Sequence, residues 1–142
     1  LEAIMKCASI GPILADGGVR TPGDAAKTLA AGAKAVMIGG MLKGTDCTPK
    51  WIKGGTTLYR GMASREAKRA SGATEDHREG VSMHLNCRGQ GSTQGVLDDL
   101  CEGIKSAMSY TGADNLTEFR ERAVFIETTS NVLTENQPHG TK

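Results

Sequence analysis

No apolar run in this 142-residue chain is long enough to cross a bilayer, and no signal-peptide pattern opens it. Aromatic residues are scarce, with one Trp, two Tyr and two Phe, so any core must be built from small aliphatic side chains. Charge of one sign is also missing. With 17 Lys plus Arg against 16 Asp plus Glu, no global field favours nucleic acid or an anionic membrane, and any anion site must be local. The four cysteines, Cys7, Cys47, Cys87 and Cys101, form no CxxC pair, which excludes a zinc ribbon and a disulfide framework and fits reduced thiols in a cytoplasmic protein. His77, His84 and His139 have no metal-ligand spacing. The dinucleotide fingerprint G-x-G-x-x-G and the P-loop are both absent.

Glycine, by contrast, is abundant: 19 residues without a collagen period, which means many backbone corners. Leu1 to Ala8 puts Leu1, Ile4, Met5 and Ala8 on one helical face. The chain thus opens inside an amphipathic helix, as if continuing a longer protein. "GPILADGG" and "AKAVMIGG" are short apolar runs bounded by glycines, the pattern of strands buried on both faces. Between them, Thr21-Pro22-Gly23-Asp24 supplies a helix cap, a first-turn proline and an acidic residue, and Gly32 a left-handed stop. A strand, helix, strand unit of this kind implies a parallel pair joined by a right-handed crossover, hence an α/β fold.

From residue 41 to 91 regular pattern is sparse and reads as a finger- or flap-like insertion in a single domain. It holds a helical turn at "MLKG", a strand near Thr56 to Tyr59, a balanced charged segment "SREAKRASGATEDHRE" and a short strand in "VSMHLNCRGQG". The charged segment is a solvated helix and loop, or a mobile lid. Ser92 or Thr93 caps a long helix carrying Val96, Leu97, Leu100, Ile104, Ala107 and Met108. "DNLTEFRERA" starts another helix and "VFIETTS" is strand-like.

In parallel α/β architectures ligands sit at the carboxyl ends of the strands. Asp16-Gly17-Gly18 and Gly39-Gly40 both lie there, and glycine lets main-chain N–H groups approach an anion such as phosphate. Asp16 would repel a phosphate and is better suited to vicinal hydroxyls, as acidic residues are with ribose; the alternative is an Asx-turn that serves its own backbone. Tyr59 offers a hydroxyl, and Gly61 and Met62 offer open backbone amides to the same anion.

Together "ILADGGVRTPGDAAKTLAAGAKAVMIGGMLKGTD", "LYRGMASREA", "EGV" and "LCEGIKSAMSYTGADNLTEF" resemble the C-terminal part of the IMP dehydrogenase/GMP reductase family. The resemblance implies the end of a (β/α)8 TIM barrel, with residues 13–40 holding its seventh and eighth strands and the C-terminal helices following. It implies that Asp16 binds the ribose of a purine mononucleotide, GMP or IMP. Gly17, Gly18, Gly39, Gly40, Tyr59, Gly61 and Met62 would surround its 5′-phosphate, and Arg78, Glu79 and Gly80 would meet the purine edge. Ser106, Ala107, Ser109 and Tyr110 would lie near NADPH or NAD, or a neighbouring subunit of a homotetramer.

A monovalent cation, the first six strands and the nucleophilic cysteine, on a Gly-Ser-x-Cys-Thr loop, would all lie outside this chain. The chain would then be inactive without the rest of the barrel. In IMP dehydrogenases a longer flap between "YRGM" and "EGV" carries an Arg-Tyr pair that activates water. Here the interval is short and has no Arg-Tyr dipeptide, which favours GMP reductase, converting GMP to IMP and ammonia with NADPH. IMP dehydrogenase, oxidising IMP with NAD, is the alternative activity. An inactive barrel piece that at most binds nucleotide is the non-enzymatic one.

Overall fold

The alternation of small apolar and polar residues between Thr21 and Ala33 makes one helix the hub of the protein. In the computed structural model, which describes residues 1–47, 52–53, 56–72, 82–85, 91–129 and 132, that helix is α2 (Pro22–Ala30). It follows α1 (Glu2–Ala8) and the strand β1 (Leu14–Asp16), and precedes β2 (Ala35–Met37). The expected capping box is formed: Asp24 N–H donates to Thr21 Oγ1 at 3.2 Å, and Asp24 Oδ2 accepts from the Thr21 amide at 3.0 Å. This reciprocal pair satisfies orphan donors of the first turn, and Pro22 needs no partner there. Gly32, with φ +113°, turns the chain out of the helix in the left-handed region.

The chain returns to pair β2 with β1 in parallel, Asp16 opposite Met37, as the crossover pattern requires. A 3-10 turn (Gly40–Leu42) follows. Next come β3 (Ile52–Lys53), β4 (Thr56–Arg60), α3 (Arg65–Ala70) and β5 (Ser82–Leu85). The three strands form an antiparallel sheet in the order β3-β4-β5. The charged segment thus contributes a short helix, as its solvated reading expects, capped by the buried Ser64, whose Oγ accepts from the Ala67 amide. Residues 73–79 of that segment lie outside the described residues.

Two helices close the chain: α4 (Thr93–Tyr110), capped by Ser92, and α5 (Leu116–Arg122), capped by Asn115. The core lies where they meet α2. Ala26 and Ala30 pack with Ala113 and Phe119, flanked by Ile104, Ala107, Met108 and Ala123. Small side chains let α4 come close to α2, most tightly where Gly103 faces the Pro22 ring. Arg120 adds a polar tie, with Nε 3.2 Å from the Leu29 carbonyl and Nη2 3.0 Å from that of Ala33.

Three expectations are corrected. The strands read as buried on both faces are not: Leu14 is 55% and Met37 49% exposed, because β1 and β2 pair only with each other and α2 does not cover both sheet faces. The apolar stripe of α1 buries no residue. The strand-like run after α5 forms no strand over 124–129, where no other described segment pairs with it. β propensity is realised only where a ladder and a packing face exist.

Candidate functional site

The parallel register brings the two glycine corners side by side. Asp16 ends β1 opposite Met37, and β2 runs on through Ile38 into Gly39 and Gly40, so both corners leave the same end of strands about 5 Å apart. Gly17 (φ +74°) and Gly18 (φ +79°) turn successively through the left-handed region. No atom lies within 4 Å of where a Cβ at either would stand, so the backbone there is bare and open. Asp16 is exposed at the head of this loop. A cavity of about 360 Å³ flanks it, lined by Leu1, Ile4, Gly17, Gly18, Asp24 and Lys27 among others.

The second corner has a roof. A Cβ placed on Gly39 would stand 3.8 Å from the Tyr59 hydroxyl oxygen, so Tyr59, on β4, aims its polar tip over the Gly39 backbone. Lys43 completes the group: its Nζ sits 4.4 Å from the centroid of the Tyr59 ring, and its Cε is 3.9 Å from a Cβ built on Gly40. Gly61 and Met62 follow β4 directly. Met62 is fully out in solvent, and the Gly61 carbonyl accepts from the Ser64 amide at 2.9 Å, which fixes the loop at the start of α3.

Behind the corner, Asp46 fastens the N-terminus of α4. Its Oδ1 accepts from the Thr93 amide at 2.8 Å, lies 2.8 Å from the Thr93 hydroxyl, and accepts from the Cys47 amide at 2.9 Å. The Thr93 amide bond, aided by the Thr93 hydroxyl, holds the Asp46 carboxyl below its ordinary value. Thr45 is buried beside it, its hydroxyl 2.8 Å from that of Thr93.

The structure therefore gathers Asp16, Gly17, Gly18, Gly39, Gly40 and Tyr59 at one end of the parallel pair, with Gly61 and Met62 just beyond Tyr59 in the chain. Arg78, Glu79 and Gly80 lie outside the described residues. Ser106, Ala107, Ser109 and Tyr110 are not brought to the corners: they occupy the far end of α4, and Thr93 and Tyr110 are roughly 25 Å apart along the helix axis. Ala107 packs against the core, while Ser106, Ser109 and Tyr110 are exposed. Lys43 and Asp46 carry no motif in the sequence, and Thr93 stood out there only as a candidate cap of α4. Only the closeness of Lys43 to Gly39-Gly40 in the chain hinted at a cation beside an anion corner.

What this arrangement can do is bind an anion with backbone amides, a hydroxyl and a cation, beside a carboxylate suited to hydroxyl groups. Among the described residues no group of three or more His, Cys, Asp or Glu is placed to hold a metal ion. No described helix is long and apolar enough to cross a membrane.

A family model described as the IMP dehydrogenase/GMP reductase domain matches residues 1–139. The inosine-5′-monophosphate dehydrogenase of Nitrosopumilus maritimus is 39% identical over 160 aligned positions, which cover 98% of this chain and 33% of that protein. The GMP reductase of Leishmania donovani is 35% identical, over 98% of this chain and 32% of its own length. Among solved structures, a GMP reductase from Trypanosoma brucei in complex with guanosine 5′-monophosphate superposes with a TM-score of 0.84 at 34% identity, over 99% of this chain and 31% of that one. The chain spans about a third of the length of these relatives. Its fold is the C-terminal portion of an α/β barrel, as the family resemblance implied, and the parallel strand, helix, strand unit is the part that the pattern alone led us to expect.

Proposed function

Because this chain belongs to the IMP dehydrogenase/GMP reductase family, a family of purine-nucleotide oxidoreductases, we propose that it forms the phosphate and ribose wall of a GMP reductase. The overall reaction would convert GMP to IMP and ammonia, taking its hydride from NADPH. The amides of Gly18, Gly39 and Gly40 hold the 5′-phosphate, joined by the Tyr59 hydroxyl, the Gly61-Met62 amides and the Lys43 ammonium. Asp16, one residue before the bare glycine turn, accepts from the ribose hydroxyls. Arg78, Glu79 and Gly80 meet the purine edge. The observation that carries this reading is the Tyr59 hydroxyl set over Gly39, because a donor held above an open glycine backbone defines a site for an oxygen anion.

The preference for GMP reductase rests on the interval from Met62 to Glu79, which is short and contains no Arg-Tyr pair to activate water. The 39% identity to an IMP dehydrogenase favours the second reading, oxidation of IMP with NAD. The nucleophilic cysteine belongs to the remainder of the barrel. Ser106, Ser109 and Tyr110, exposed far from the nucleotide corners, serve the nicotinamide cofactor of an adjacent subunit in a homotetramer.

A chimera in which residues 1–142 replace the matching third of the Leishmania donovani enzyme tests the assignment. NADPH oxidation dependent on GMP is expected. NAD reduction with IMP instead would move the chain to IMP dehydrogenase, and neither activity, with no calorimetric heat from GMP, would leave the nucleotide reading without support.

A further inference from the structure

The insertion that carries Tyr59 leaves the glycine corner at Asp46 and returns at Gly91, and the structure closes it at its base. Asp46 Oδ1 takes the Thr93 amide at 2.8 Å and lies 2.8 Å from the Thr93 hydroxyl, between residues 47 apart in sequence. The Asp46 amide donates to the Gly91 carbonyl at 3.3 Å. Thr45, 1% exposed, stands between these bonds and the corner: its hydroxyl is 2.8 Å from that of Thr93 and 3.0 Å from the Leu42 carbonyl, and its amide donates to the same carbonyl. An unbroken run of hydrogen bonds thus joins the first turn of α4 to the 3-10 turn that begins at Gly40. A carboxylate at that helix terminus is further favoured by the α4 dipole.

We propose that Asp46 and Thr93 form a staple that sets the phosphate grip: by closing the base of the insertion they hold the Tyr59 hydroxyl over Gly39. Both are positioning residues, since the bonds of the Asp46 carboxylate and the Thr93 hydroxyl go to each other and to neighbouring Thr45 and Cys47. Bringing together chain ends this far apart carries a loop-closure cost, and bonds at the base of the loop offset it before any ligand arrives. Tyr59 is then preorganised, so nucleotide binding does not have to order it. The inference rests on the nucleotide reading above for its functional meaning, but the placement of Tyr59 is observable without nucleotide.

The chain has only two tyrosines, Tyr59 and Tyr110, and Tyr110 is 88% exposed at the far end of α4. Labelling with 3-fluorotyrosine therefore gives one reporting and one reference fluorine signal. Asp46→Ala is expected to shift or broaden the Tyr59 signal and leave that of Tyr110 in place. Thr93→Ser, which keeps both donors, should retain the native spectrum. An unmoved Tyr59 signal in Asp46→Ala overturns the proposal. Should both signals collapse through unfolding, Thr93→Val, which removes only the hydroxyl, is judged by the same criterion.

In calorimetry with GMP, Asp46→Ala should weaken binding about fivefold in the native background and less than twofold in Tyr59→Phe, because the staple acts through that hydroxyl. Equal losses in the two backgrounds would also overturn it. Absence of GMP binding by the unmutated chain would sink the nucleotide reading, while the fluorine spectra still decide whether the staple positions Tyr59.

Discussion

Gly103→Ala should destabilise the protein, although it replaces glycine inside a long helix. In α4 the change itself favours folding by about 1 kcal/mol, since alanine restricts the unfolded chain and forms helix readily. Against this, a Cβ at position 103 would stand 2.2 Å from Pro22 Cβ, 3.2 Å from its Cγ and 3.5 Å from its Cα. Carbon atoms rest at about 3.5–4.0 Å, so α2 and α4 would have to separate by about 1.5 Å. The proline ring cannot swing aside, because it is closed onto its own backbone. Parting the helices also loosens Ile104 and Met108 from Ala26 and Ala30. Overpacking costs about 1–3 kcal/mol, and a clash this close against a rigid ring belongs in the upper part of that range, about 2–3 kcal/mol, so after the helix gain of about 1 kcal/mol a net loss of about 1–2 kcal/mol remains. For a chain of this length that lowers Tm by roughly 3–10 °C. Gly23→Ala is the control. It lies in the first turn of α2, where a Cβ meets nothing closer than Thr21 Oγ1 at 3.7 Å, so the same substitution should raise Tm. Thermal and urea unfolding followed by circular dichroism compare the two. A Tm for Gly103→Ala equal to or above that of the parent would refute the packing argument.

Gly39→Ala should leave the protein folded, since the new Cβ meets the Tyr59 oxygen at an ordinary 3.8 Å, but it should weaken GMP binding about tenfold or more by occupying the anion's place. Calorimetry on the two proteins checks this, and retained affinity would count against Gly39 as a phosphate contact. Arg120→Ala should cost about 1–2 kcal/mol because it removes the side-chain donor from the Ala33 carbonyl and one of two donors from the Leu29 carbonyl, which keeps the Gly32 amide, and Arg120→Lys should recover only part, lacking the two-pronged fork; urea midpoints separate the variants. Thr21→Ala should cost about 1 kcal/mol through loss of the α2 cap. Burial pushes the Asp24 carboxyl up, but the Thr21 hydroxyl, the Arg20 and Thr21 amides and the Lys27 charge outweigh it and leave the group below its ordinary value. Asp46, through Thr93, and Glu66, through the Ser82 hydroxyl, are lowered likewise. A folded-state value below the unfolded one stabilises fully above the ordinary carboxylate range and is lost as pH falls through the folded value, so Tm should drop below about pH 4. The drop should be smaller in Asp24→Asn.

Local signals in the sequence proved reliable where the determinant was local. Thr21, Pro22 and Asp24 mark the start of α2 because cap, proline and acidic residue all act within one turn, and Ser92 and the apolar stripe beyond it mark α4 for the same reason. The glycine corners were legible individually, since a glycine pair after an apolar run is a backbone statement. What brings them under one roof was not. The Tyr59 hydroxyl reaches Gly39 across 20 residues, Lys43 completes the corner by lying on that ring, and Asp46 finds Thr93 47 residues on, none of which any periodicity encodes. The run from Val124 failed for the converse reason. Its β-branched and aromatic residues state a preference, but Val124 and Ile126 remain exposed, and without a partner strand the preference has nothing to act on.

Leu14 and Met37 carry the same logic further. Their runs read as strands covered on both faces, yet each is about half exposed in a sheet of two strands. Such a pattern fits a closed barrel, where each strand has two neighbours and the interior is filled by side chains. In this structure burial is concentrated where α2, α4 and α5 meet, and the two strands keep exposed residues. The site follows the same division. The glycine corners, Tyr59 and Lys43 come together within these residues from separate stretches of one chain. Under the proposed function, the thiol that attacks the purine would come from outside these residues. A wall that binds the nucleotide and a nucleophile that reacts with it are thus separable, and GMP affinity should be measurable in this chain even where turnover is not.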